Sequence, residues 1–273
     1  MIVVTGATGN VGRALVGHLL DADRDVTAVA RNINGAHVPP GVKAVAADLA
    51  DPQSLTPAFD GATALFLLVA GEDPKHILET AKRAGITKVV LLSTQGAATR
   101  PHIYQHAVRF EEAVRDSGMR WTILRSGGMA SNALAWVEPI REHGIAAAPF
   151  ANVGLPFIDP EDVAAVSAAV LREDQHHGTT YTLTGPELST PRQRAATLAK
   201  ATSRPIQFIE QTREEAHSLM TKFMPAQVAE GTLAILGTPT PEEQQISPDV
   251  THVLGREPQP FSAWAARHAT LFK

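Results

Sequence analysis

The chain has 273 residues, 44% hydrophobic and 19% charged, with a formal net charge of -4 and no cysteine. Its length suits one large α/β domain, or a main domain with a smaller lobe, and the charge leaves no basic footprint for nucleic acid. The missing cysteine excludes disulfides, thiolate metal ligands and a thiol nucleophile, and the longest apolar run, 62–70, is too short to cross a bilayer.

Through the first half, short β-rich runs alternate with helical periods, the pattern of βαβ units feeding a parallel sheet. Residues 2–5 read as a buried strand, and 11–20 as a helix with Val11, Leu15 and Leu19 on one face. Strands are expected at 25–30 and 42–46, then a helix over 51–59 started by Asp51 and Pro52. A strand at 64–69, a helix over 74–84 stopped by Gly85 and a strand at 88–93 follow. A helix over 102–117, closed by Gly118, leads to a sixth strand at 121–125. Beyond 126 the rhythm changes to a helix over 130–142, Gly- and Pro-rich loops around 150–160, a helix over 162–172 and a strand at 179–184. Helical segments dominate thereafter, interrupted at 206–210 and by the Pro-rich stretch 238–248. The expected fold is α/β: a Rossmann-type doubly wound parallel sheet over 1–125, with a smaller, mostly helical cap from 126–273. Within that second part, 157–185 is expected to return to the main sheet. A strand starting at Ile2 leaves no room for a charged leader, so the expected location is the cytoplasm.

The strongest motif is Thr5-Gly6-Ala7-Thr8-Gly9-Asn10-Val11-Gly12-Arg13, between the first strand and the first helix. Gly6 permits a tight turn, Gly9 lets backbone approach a pyrophosphate, and Gly12 allows close helix–strand packing. The helix then offers unpaired N–H groups and its positive dipole end to an anion. At the end of the second strand a carboxylate would hydrogen-bond the ribose 2′-OH of NAD, whereas an Arg accommodates the 2′-phosphate of NADP. The chain carries Arg31 there and no acid. NADP(H) is favoured, with NAD(H) and a merely solvated Arg31 as the alternatives.

Together with Val45-Ala46-Ala47-Asp48-Leu49, Leu92-Ser93-Thr94-Gln95-Gly96-Ala97, Trp121-Thr122-Ile123-Leu124-Arg125 and Met129-Ala130-Ser131-Asn132, this loop resembles the NmrA-like branch of the atypical short-chain dehydrogenases/reductases. The resemblance spans nearly the whole chain and includes Tyr181-Thr182-Leu183-Thr184-Gly185-Pro186 and Phe261-Ser262-Ala263-Trp264. It implies Asp48 and Leu49 beside adenine, Leu68 and Val69 under the ribose and pyrophosphate, and 126–129, with Gly127, near the nicotinamide. Thr8, Asn10, Val11 and Ser93 join the implied cofactor set. Asp48 can equally end a strand at a turn, and Asn132 can pin a local turn.

The larger superfamily uses a Tyr-x-x-x-Lys pair with a Ser on the preceding strand, the Lys lowering the Tyr pKa. Ser93 is suitably placed and Tyr104 starts the next helix, but the position four on is Val108. The pair is broken, which makes His106 the candidate acid, against a plain helical His. His102 and His106 lack the Glu and third ligand of a zinc site, and no metal is expected. Met129, Asn132, Trp136, Phe150 and Phe157 are the candidate substrate contacts, the apolar ones having plain core as their rival. The expected function is NAD(P)H-dependent hydride transfer to a quinone or conjugated aromatic ketone. The alternatives are a non-catalytic redox sensor and a tailoring oxidoreductase or oxygenase of aromatic polyketide biosynthesis. The expected partner is a small aromatic or quinone molecule, with neither membrane nor nucleic acid involved; a homodimer is compatible with this reading.

Overall fold

The structure, a computed structural model, describes residues 1–273. Seven parallel strands form the main sheet in the order β3-β2-β1-β4-β5-β6-β8: β1 Ile2–Thr5, β2 Val26–Ala30, β3 Lys43–Ala46, β4 Ala64–Leu68, β5 Lys88–Thr94, β6 Arg120–Ser126 and β8 Thr179–Leu183. Central β1 and β4 are buried on both faces, so they read as unbroken apolar runs rather than alternating ones. The crossovers are α1 Asn10–Asp21, α2 Thr56–Phe59, α3 Pro74–Arg83, the short α4 Gly96–Thr99 and α5 Gln105–Asp116. One apolar core joins the sheet to α1 and α7 (Pro160–Arg172), and a second joins it to α3 and α5.

Side-chain caps fix the helix starts. Asp73 caps α3 and Asp159 caps α7, each followed by a Pro whose missing N–H would be unpaired there anyway. Reciprocal capping boxes set α8 (Pro191–Thr202) with Thr190 and Gln193, α9 (Arg213–Met220) with Thr212 and Glu215, and α11 (Pro241–Gln244) with Thr240 and Glu243. Helices α10 Ala226–Gly237, α12 Asp249–Leu254 and α13 Phe261–His268 complete the chain.

Three local expectations change, the first being the helix expected over 51–59, which is a 3-10 turn, Pro52–Leu55, followed by the short α2. The helix expected over 130–142 divides into a 3-10 stretch, Ala130–Trp136, and α6, Val137–His143. Pro139 is the physical reason: it cannot donate to Ala135 and its ring would clash with that carbonyl, so a continuous α-helix is excluded. The helix expected from 102 begins at Gln105, after the α4 turn. A second, two-stranded parallel sheet, β7 Ile145–Pro149 with β9 Gln207–Gln211, was not foreseen as a pair. It packs near a third core that contains Trp136, Trp264 and Phe272.

Candidate active site

The phosphate loop connects β1 to α1. Gly6 has φ +63, in the left-handed region, and a β-carbon there would overlap the Leu68 side chain. A β-carbon on Gly12 would overlap the Gly6 carbonyl, which is why helix and loop approach so closely. Gly9 ends the loop at the N-cap, exposed, with no side-chain cap and no acidic residue in the first turn. The first-turn amides of α1 are therefore open to an outside acceptor, with the positive end of the helix behind them. This cradle fits the pyrophosphate of a dinucleotide. Thr8 and Asn10 flank it, Val11 is buried beneath it, and an open cleft of about 330 Å³ lies beside it.

Along the sheet edge, Arg31 is exposed just past β2. Asp48 is exposed past β3, its carboxylate accepting from the Ala50 N–H at 3.0 Å, so its turn-forming role is present. Leu49 and Val69 are half-buried against the α3/α5 core, and Leu68 leans over Gly6. The Thr5 hydroxyl braces β1 to β4, donating to the Phe66 carbonyl at 2.9 Å and accepting from the Leu68 N–H at 3.1 Å.

Past β5 and β6 lies a smaller cleft of about 150 Å³, lined by Gln95, Tyr104, Gly127, Asn132, Phe157 and Thr232 among others. The Tyr104 ring rests against Gly96 and its hydroxyl lies 3.3 Å from that of Thr232 on α10. Burial pushes the Tyr104 phenol above its ordinary value, so it stays protonated at neutral pH. Helix α10 closes the cleft from above with Ile235 and Leu236. Arg100 holds that cover: its Nε and one terminal nitrogen donate to Glu243 at 2.7 and 2.9 Å, and it also donates to the Thr238 carbonyl at 3.1 Å. Gln95 Nε2 adds a bond to the Glu242 carbonyl at 3.0 Å.

Five expected site residues, His106, Ser93, Trp136, Phe150 and Met129, do not line this cleft. His106 Nε2 donates to the Gly71 carbonyl at 2.7 Å, and its ring meets Phe110 edge-on, so that proton is spent on the loop after β4. Ser93, on β5, is buried with its hydroxyl donating to Glu111 on α5 at 2.8 Å. Burial pushes the Glu111 carboxyl up, but hydrogen bonds from Arg125 and Ser93, Arg125's charge and a bond from Arg115 outweigh this and hold it below its ordinary value. Trp136 belongs to the core of the C-terminal part, its indole N–H donating to the Ala147 carbonyl at 2.8 Å. Phe150 adopts φ +55 and packs against Gly237 at the end of α10, and Met129 is half-buried against the core, bridging Ile158. Residue reasoning missed Gln95, Thr232, Arg100 and Glu243. Gln95 lies inside a quoted motif, whereas the other three are joined to the site only by the tertiary fold.

The class this defines is a dinucleotide-binding Rossmann protein with a capped cleft at the carboxyl ends of its strands. The sequence pattern of the NAD(P)H-binding family matches residues 6–174, and the chain belongs to that family, in keeping with its resemblance to the NmrA-like atypical short-chain dehydrogenases/reductases. It is 35% identical, over 100% of its length and 99% of the relative's, to a (4-alkanoyl-5-oxo-2,5-dihydrofuran-3-yl)methyl phosphate reductase of Streptomyces griseus. It is 30% identical to an NAD(P)H azoreductase of Xenophilus azovorans, over 100% and 99% of the two chains. Among solved structures, the NADPH complex of an Escherichia coli NADPH-dependent quinone oxidoreductase superposes with a TM-score of 0.80 at 24% identity, covering 98% of this chain and 99% of that one.

Proposed function

We propose that this chain is an NADPH-dependent reductase of conjugated, electron-poor acceptors, either quinones or unsaturated carbonyl compounds. The observation that carries the reading is the cleft past β5 and β6, which brings the neutral donors Tyr104, Gln95 and Asn132 together beside a Glu243 carboxylate already paired with Arg100. Full-length relatives named for reducing a dihydrofuranone and an azo compound fit the same class, since both bear conjugated π systems. The first-turn amides of α1 hold the pyrophosphate, Arg31 takes the 2′-phosphate, and Asp48, Leu49, Leu68 and Val69 border the adenosine half.

When bound, the nicotinamide supplies a hydride. In an unsaturated carbonyl acceptor the new C–H bond forms at the β-carbon and the π pair moves to oxygen, leaving an enolate. Tyr104 donates a hydrogen bond or proton to that oxygen, and solvent returns the proton to the phenol. Helix α10 keeps bulk water off the acceptor, which strengthens each of these contacts. The test is NADPH oxidation with a panel of quinones and unsaturated lactones, run beside simple ketones. Turnover of conjugated acceptors alone is the expected result. Tight NADPH binding with no turnover of any acceptor would refute the reading and favour a redox sensor.

A further inference from the structure

Six Asp, Glu, Lys and Arg side chains are buried in this molecule. Five of them, Lys88, Glu111, Asp159, Asp162 and Glu243, sit in ion pairs. The sixth, Arg194 on α8, is 7% exposed and has none. Its guanidinium donates to the Ser189 carbonyl at 3.0 Å and lies 3.7 Å from the centre of the Phe157 ring. Ser189 is bridged to Leu155, and Leu155 and Phe157 both line the cleft assigned to the acceptor. An unpaired cation therefore stands directly behind the cleft wall.

Burying a charge without a counter-ion is costly, and an apolar side chain of similar size would pack here at less expense. The stacking on Phe157 recovers only part of that cost. Burial pulls the guanidinium down to about 9, which still leaves it cationic at neutral pH. Glu243, which lines the cleft, is paired with Arg100, whereas no carboxylate pairs with Arg194.

We propose that Arg194 is a specificity-determining residue of the acceptor cleft: its charge, acting through Phe157, selects acceptors that are anionic or become anionic on taking up hydride. The inference rests on the reading of this cleft as the acceptor site. A ligand atom stacked on the far side of the ring would stand about 7 Å from the guanidinium. At an effective dielectric of about 20, that separation favours an anion roughly tenfold to fiftyfold over a neutral isostere. Enolates and hydroquinone monoanions share this requirement, so one residue serves both acceptor classes.

The test compares dinitrophenolate with neutral dinitrotoluene, binding to the NADP⁺-loaded protein by calorimetry and inhibiting quinone reduction competitively. The native protein should bind the anion at least tenfold more tightly. Arg194→Met should retain the affinity for the neutral ligand and lose that preference, while Arg194→Lys should keep most of it. Equal affinities in the native protein, or an undiminished preference in Arg194→Met, would overturn the inference. Should Arg194→Met fail to fold, the native comparison decides. If neither ligand binds, the acceptor-cleft reading falls and the inference with it; if both bind equally, only the inference falls.

Discussion

Removing Arg100 should release the cover of the cleft. The Glu243 side chain is 1% exposed and accepts two hydrogen bonds from Arg100, at 2.7 and 2.9 Å. In Arg100→Ala that carboxylate remains buried with no charged partner. Breaking a buried pair from one side costs about 3 kcal/mol or more. In a chain of 273 residues that corresponds to about 5 °C in Tm, if it is expressed globally. If only the cover opens, the loss is read instead as faster amide exchange in α10 and α11. Burial pushes the Glu243 carboxyl up, but the Arg100 hydrogen bonds, the Thr240 and Thr99 contacts and Arg100's charge outweigh it, so the folded pKa lies below the ordinary value. Stability from this group is thus complete above the unfolded carboxylate pKa, about 4.3, and is lost as pH falls through the folded value. The gap between native protein and Arg100→Ala should be full at pH 7 and shrink below about pH 4. Replacing both partners, as in Arg100→Met with Glu243→Leu, should recover much of the loss. Unchanged Tm and unchanged α10 exchange in Arg100→Ala would refute the reasoning.

Gly12→Val should abolish dinucleotide binding by calorimetry, because its side chain would be driven into the Gly6 carbonyl. Arg31→Ala should weaken NADPH but not NADH by about ten- to a hundredfold, the worth of one charge-assisted contact; equal native affinities for the two would remove Arg31 from the site. Tyr104→Phe should lower kcat by about ten- to a hundredfold, and the native rate should hold through neutral pH, falling only above the ordinary tyrosine range because burial raises that phenol. His106→Ala should raise the NADPH Kd by roughly fivefold with little change in kcat, since His106 steadies the Gly71 loop that packs on Leu49; a collapse of kcat instead would restore it as the acid.

How much could be read in advance follows from the range of each interaction. The sheet was legible because buried parallel strands such as Ile2–Thr5 and Ala64–Leu68 are continuous apolar runs. The phosphate loop was legible because its glycines are demanded locally, by a left-handed turn and a close backbone approach. Strand β7 was not, since Ile145–Pro149 is largely alanine and offers neither alternation nor branching. The cover escaped notice because Arg100 and Glu243 lie 143 positions apart, and neither carries a motif. Tyr104 and His106 both lie at the start of one helix, and the sequence could not tell which would turn toward the cleft. That choice was made by Gly96, whose bare backbone receives the Tyr104 ring, and by the Gly71 carbonyl, which draws His106 away.

The direction in which burial moves Tyr104 also bears on the chemistry. A Tyr paired with Lys has its pKa lowered, which helps it protonate the strongly basic alkoxide formed from an isolated ketone. Here no Lys stands four residues on, and burial moves the phenol the opposite way. Such a phenol remains a good hydrogen-bond donor but is a weak acid. It stabilises an oxyanion by hydrogen bonding, and an anion already delocalised, as in an enolate or a hydroquinone monoanion, depends less on an activated proton donor during hydride transfer than a localised alkoxide does. An unpaired cation behind Phe157 favours the same delocalised anions, because it lowers their energy without having to deliver a proton. Simple aliphatic ketones should therefore fail as acceptors even at saturating NADPH, while conjugated ones turn over.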